Sequence, residues 1–150
     1  VSERGRPSSP AAVYLADRSA WRQIRHSDDA RDRFHELARQ GEVAVCPMIV
    51  EEILYAARSH REFLSWRRLL DTLTWLDTTS AMQRRALEIM ESMARHGHRR
   101  GAGIPELVVA VTAEAHNATV LHYDPTFPRI AEYAPISQQW IVGRGTGFES

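Results

Sequence analysis

The sequence predicts an α/β fold, with helices packed on a central, mainly parallel β-sheet. Two observations carry this expectation. Short apolar runs of strand length ("VYLA", "VAVC", "TVL") have the character of strands buried on both faces. Longer amphipathic segments separate them, the alternation from which parallel sheets are built. At 150 residues the chain suits one domain, able to bury roughly 70% of its unfolded surface.

Taken in order, residues 1–12 ("VSERGRPSSPAA") have little to pack and read as a disordered leader. The expected domain spans residues 13–143. Val13 to Ala16 form its first strand, ending at Asp17, and "SAWRQIRH" follows as a helix capped by Asp17 or Ser19. "SDDARDRFHELARQG" is a second helix, capped by Asp28 or Asp29 and stopped by Gly41. "EVAVC" is a strand, and Pro47 opens the helix "MIVEEILYAARS". The amphipathic "REFLSWRRLLDTL", a brief strand "TWLD" and a long helix from Ser80 to His96 come next. "RHGHRRGAG" is a basic loop leading into "GIPELVVAVTAEA", a core helix with Pro105 in its first turn. "ATVLHYD" is a strand ending at Asp124, "TFPRIAEY" a helical turn, and "QQWIV" a last strand. A flexible tail is expected at residues 144–150.

Formal charge is zero, which argues against nonspecific wrapping of nucleic acid. Every one of the strong cations is arginine, a planar fork for phosphates and carboxylates, although GC-rich coding is the simpler account of a lysine-free chain. The single cysteine, Cys46, precludes an intrachain disulfide and lies in an apolar run, so it reads as a core thiol in a reducing, cytoplasmic compartment. No apolar stretch approaches the ~20 residues of a membrane span.

The acids stand where strands end. Ligands of open parallel sheets gather beyond the carboxyl ends of the strands, and Asp17 and Asp124 close two of the apolar runs. Glu106 opens a helix, and Glu51 and Glu52 lie near the start of another. Taken singly, each acid has an ordinary explanation: a helix cap, a partner of the helix dipole, a turn former before Pro125. Jointly they predict a cluster. Like charges a few ångströms apart raise one another's pKa or bind cations, and oxygen-only ligands select hard ions such as Mg²⁺ or Mn²⁺. A cation so held, with open positions, suits phosphodiester hydrolysis by an activated water.

These stretches resemble the PIN-domain ribonuclease toxins of VapBC toxin–antitoxin modules, particularly the mycobacterial-type members. The resemblance runs from "VYLADRSAW", through "VCPMIVEEILYAARS" and "RHGHRRGAGIPELVVAVTAEAH", to "ATVLHYDPTFPRIAEY" and "QQWIVGRGT". It implies a PIN-like α/β/α sandwich and Mg²⁺- or Mn²⁺-dependent cleavage of structured RNA of the tRNA or rRNA class. It further implies a VapB-type antitoxin as partner, a homodimer, and toxin–antitoxin hetero-oligomers. Carried over residue by residue, the family acids fall on Asp17, Glu52 (rather than Glu51), Glu106 and Asp124, with Ser19 as the supporting hydroxyl. Two positions depart from the family pattern: Glu106 replaces an aspartate, and Thr126 stands where many members have a further aspartate. Glutamate moves the carboxylate by roughly 1.5 Å unless the side chain folds back, and a shift of about 1 Å can cost on the order of a hundredfold in rate. An alternative is therefore an RNA- and antitoxin-binding module with little turnover.

Arg95, Arg99 and Arg100 make the best candidate patch for RNA phosphates. His96 and His98 beside them have ligand-like spacing but lack a third partner. His122, on a strand, reads as structural. The helices over "EEILYAARSHREFLSWRRLL" place Tyr55, Phe63, Trp66 and Leu69 on apolar faces; the resemblance implies that they line the antitoxin groove, and ordinary core packing is the competing account.

Overall fold

A computed structural model describes residues 11–149. The predicted leader falls almost wholly outside the described residues, and the first strand begins one residue earlier than expected. β1 (Ala12–Ala16) is followed by α1 (Arg18–His26), α2 (Asp28–Gln40), β2 (Gly41–Val45), α3 (Pro47–Tyr55), α4 (His60–Asp71) and β3 (Thr74–Trp75). Then come α5 (Ser80–Arg95), α6 (Ile104–Ala115), β4 (Thr119–His122), α7 (Thr126–Ala131) and β5 (Ser137–Trp140). The strands form one sheet in the order β3-β2-β1-β4-β5, and every pairing is parallel.

Helices cover both faces. Successive strand residues point to opposite sides, and Val120 and Leu121 of β4 fall in different hydrophobic clusters. Val120 joins the larger cluster with Leu15, Val45, Ile49, Ile89, Val109 and Phe127. Leu121 packs with Ala20, Ala30, Leu37 and Ile141, residues of α1, α2 and the segment after β5. This is the α/β/α sandwich. α6 is apolar nearly all round and buried without a break from Leu107 to Ala113, as a helix in the middle of a core must be. Thr112, inside that run, gives its hydroxyl proton to the Val108 carbonyl at 2.8 Å and lies 2.7 Å from the Thr78 hydroxyl. Its burial is therefore compensated.

Local differences from the expectation have local causes. The cap of α2 is Ser27, whose hydroxyl accepts from the Ala30 amide, rather than Asp28 or Asp29, which form the first turn. Gly41 ends α2 in an extended conformation (φ −158°) rather than a left-handed one. What it supplies is room: a Cβ there would run into the Ala12 carbonyl of the neighbouring strand. β3 shrinks to two residues because only Thr74 and Trp75 pair with β2. Residues 144–149 are not a free tail, since they return to α1 through hydrogen bonds set out below.

Candidate active site

β1 has β2 on one side and β4 on the other, so the chain path reverses there and leaves a crevice beyond the carboxyl ends of β1 and β4. Asp17 follows β1 directly, and Asp124 lies two residues beyond β4. Asp17 caps α1 and is almost fully buried. Its Oδ2 accepts from the Ser19 amide at 2.9 Å and the Ser19 hydroxyl at 2.6 Å, which leaves Oδ1 as the oxygen Ser19 does not engage. Ser19 Oγ in turn accepts from the Tyr123 amide at 2.9 Å. One hydroxyl thus ties the Asp17 carboxylate to the segment carrying Asp124.

Asp124 is set by its neighbours. Its Oδ1 accepts from the Thr126 amide at 2.9 Å, and its own amide donates to His122 Nδ1 at 3.0 Å. His122 Nε2 then donates to Gln138 Oε1 at 2.6 Å. With both ring nitrogens used and no exposure, His122 is a neutral structural residue, and burial holds its pKa down. At Thr126 it is the backbone N–H, not a side-chain carboxylate, that contributes.

Glu52 lies in the second turn of α3 and is half-buried, whereas Glu51 is exposed. Arg18 approaches Glu52 at 3.9 Å. Glu106 is the third residue of α6, and its carboxylate folds back over the helix start, filling the space that a Cβ on Gly103 would need. The longer acid is accommodated by folding back, in the first turn, where the helix dipole favours it.

These acids act on one another. Burial pushes Asp17 up to about 6, Ser19 opposes the rise, and Asp124 and Glu106 add to it. Burial pushes Glu52 up to about 7; the Asp17 charge adds to this, Arg18 opposes it, and Glu106 and Asp124 add smaller amounts. Glu106 and Asp124 thus lie within electrostatic reach of both Asp17 and Glu52. Among the described residues, however, no three His, Cys, Asp or Glu side chains lie close enough as they stand to hold one ion.

The other candidates separate. Arg95 ends α5, and Arg99 and Arg100 are exposed in the loop before α6. That loop is tied down: the Gly101 carbonyl accepts from Arg129 at 2.7 Å, and His98 bonds the Tyr133 hydroxyl. His96 Nδ1 donates to the Ser92 carbonyl at 2.7 Å, so both histidines of the loop have protein partners. Trp66 and Leu69 join Trp21 and Ile24 in a groove of about 530 Å³ between α1 and α4. Phe63 lines a neighbouring hollow, while Tyr55, 94% exposed, lines neither. Sequence reasoning passed over Arg18, the residue paired with Glu52, whose signal is its place beside Asp17 at the head of α1.

The sequence matches the PIN domain over residues 14–133. The chain belongs to the PIN-domain family. Within that family it is similar to Ribonuclease VapC21 of Mycobacterium tuberculosis (strain H37Rv), with 36% identity over 136 residues, covering 89% of this chain and 96% of that protein. Among solved structures, this PIN domain shares its fold with VapBC2 from Rickettsia felis bound to a DNA fragment from their promoter. The TM-score is 0.71 at 16% identity, covering 85% of this chain and 98% of that one. It also matches VapBC-5 of M. tuberculosis, a member of the VapBC family of toxin–antitoxin systems, with a TM-score of 0.59 at 19% identity over 88% of this chain and 99% of that chain.

Proposed function

We propose that this PIN domain is the ribonuclease toxin of a toxin–antitoxin pair, an endonuclease that cleaves structured RNA of the tRNA or rRNA class with Mg²⁺ or Mn²⁺. The observation that carries the reading is the grouping of Asp17, Glu52, Glu106 and Asp124, four acids from four segments: burial first, and then the charges of the others, raise the pKa values of Asp17 and Glu52. Its relatives bear the name ribonuclease, and a VapB-type antitoxin is the partner for the groove at Trp21, Trp66 and Leu69. A homodimer, joined by antitoxin into a hetero-oligomer in the cytoplasm, completes the proposal.

The donor set fits a hard divalent cation in kind and in charge, being all carboxylate oxygen. Because, among the described residues, no three acids reach one point as they stand, waters would complete the shell of such an ion, as they commonly do for Mg²⁺. Bound there, it supplies charge neutralisation at the phosphate and a more acidic water. Asp17, Glu52 and Asp124 would hold the ion, directly or through water, with Glu106 assisting. The protein's part is orientation. Ser19 holds Asp17 against the Asp124 segment, Thr126 and His122 fix Asp124, and Arg18 offsets the charge of Glu52. Cleavage follows without a covalent intermediate.

The test is cleavage of labelled structured RNA by the purified chain, with new 5′ ends mapped in cells expressing it. Cleavage should require Mg²⁺ or Mn²⁺ and vanish in Asp17→Ala. Persistence in EDTA, or in that variant, would overturn the mechanism.

A further inference from the structure

A second feature lies beside the acids. Arg18, Arg22 and Arg25 recur at helical spacing on one face of α1, and all three are exposed. Together with Arg58, just beyond α3, and with His26 and Phe148, they line a cleft of about 420 Å³ that shares Trp21 and Trp66 with the groove between α1 and α4. Glu62 also lines it, accepting from Arg25 at 3.0 Å and from the Arg58 amide at 2.9 Å. The lining thus carries four guanidinium groups and one carboxylate, with Glu52 beside Arg18. The cleft adjoins the acid cluster, because Arg18 reaches from its wall to Glu52.

The wall holding Phe148 is built by the segment expected to be free. Gln23, 2% exposed, donates from Nε2 to the Phe148 carbonyl at 2.7 Å and accepts the Phe148 amide on Oε1 at 2.6 Å. The Tyr123 hydroxyl accepts from the Gly145 and Gly147 amides, each at 3.0 Å. These bonds seat the Phe148 ring on His26, with centroids 4.3 Å apart and planes at 22°. The Arg22 guanidinium lies 5.7 Å from the ring centroid, and Phe148 keeps 36% of its surface exposed.

We infer that this cleft seats a single-stranded segment of RNA leading into the acid cluster, its phosphates on the α1 arginines and Arg58, and one base stacked against the Phe148–His26 pair. The inference rests on the nuclease reading. Arginine forks with an aromatic platform are the chemistry of single-stranded nucleic acid sites; an acidic peptide would use the charges but leave the rings without a role.

The experiment measures binding of a short labelled single-stranded RNA to the full chain by fluorescence anisotropy in EDTA, across a salt series. Phe148→Leu should weaken binding about tenfold without changing its salt dependence, and Phe148→Trp should restore it. Arg58→Gln should lower the slope of log affinity against log salt by about 0.7. An abasic RNA should bind the unmodified chain about tenfold more weakly and lose nothing further in Phe148→Leu. Equal binding by Phe148→Leu and the unmodified chain would overturn the proposal. So would an oligoglutamate peptide that binds more tightly than RNA and responds to Phe148→Leu, since the cleft would then be a peptide seat. If the unmodified chain cleaves RNA while Phe148→Leu binds normally, this inference alone fails. Stacking-dependent binding without cleavage in Mg²⁺ would leave the cleft standing and remove the nuclease reading.

Discussion

Replacing Asp17 by Asn should stabilise the cation-free protein at alkaline pH. Asp17 is buried, and its carboxyl moves from an ordinary 3.8 to about 6. The folded state therefore holds its proton more tightly than the unfolded state. Folding takes up a proton between those two values, so stability is greatest below 3.8, falls as pH rises, and carries the full penalty above about 6. At ~1.4 kcal/mol for each pH unit, that penalty is about 3 kcal/mol. Asn removes the charge but keeps an oxygen to accept from the Ser19 amide and hydroxyl, so the cap of α1 survives. For a chain of this size the gain corresponds to a rise in Tm on the order of 10 °C. Thermal and urea unfolding in EDTA at about pH 8 should show it, and the difference should vanish near pH 4 as Asp17 takes up its proton. Added Mg²⁺ should raise the Tm of the unmodified chain and leave Asp17→Asn unmoved. An Asn variant no more stable at pH 8, or equally favoured at pH 4, would refute the account of Asp17 as a buried charge awaiting a cation.

Other expectations follow from the same geometry. Asp17 and Glu52, at about 6 and about 7, keep protons at mildly acidic pH that a cation must displace. Mg²⁺ affinity by calorimetry should therefore rise up to about tenfold per pH unit from pH 6 to 7, and a flat profile would speak against carboxylate binding. Glu106→Asp removes the fold-back over Gly103 and should raise kcat for RNA cleavage roughly tenfold, since small displacements at a reacting centre are costly. An unchanged kcat would assign Glu106 to the helix dipole alone. Replacing Arg99 and Arg100 with Ala should lower the salt slope of RNA binding by about 0.7 for each arginine that meets a phosphate; an unaltered slope would remove the loop from the interface. In Gly147→Ala, a Cβ would stand 2.7 Å from the Tyr123 ring. Hydrogen exchange of the Gly145, Gly147 and Phe148 amides should then accelerate while the global Tm stays within about 2 °C.

By itself the sequence determined most of the elements and the place of Asp17 and Asp124 at the strand ends. Apolar runs bounded by acids marked β1, β2 and β4, and the uninterrupted apolar stretch after Glu106 marked α6, because burial imposes a periodicity that neighbouring residues record directly. Asp17 and Asp124 were legible for the same reason, each being the first acid after such a run. The choice among adjacent caps was not, since Ser27, Asp28 and Asp29 have similar chemistry and only the path of the chain selects Ser27. The need for Gly41 was mis-assigned because it arises from the Ala12 carbonyl of another strand, not from its own φ.

Tertiary structure alone decided everything that joins distant residues. The glycine-rich end of the chain looked free because its partner, Gln23, stands 125 positions earlier, and no local pattern encodes that pairing. Tyr123 acquires its hydroxyl role, and Phe148 its place on His26, only once that segment returns to α1. The raised pKa values of Asp17 and Glu52 likewise exist only after folding. Burial and the proximity of four charges are properties of the space between segments, and that space is defined when the sheet forms and its carboxyl edge gathers them.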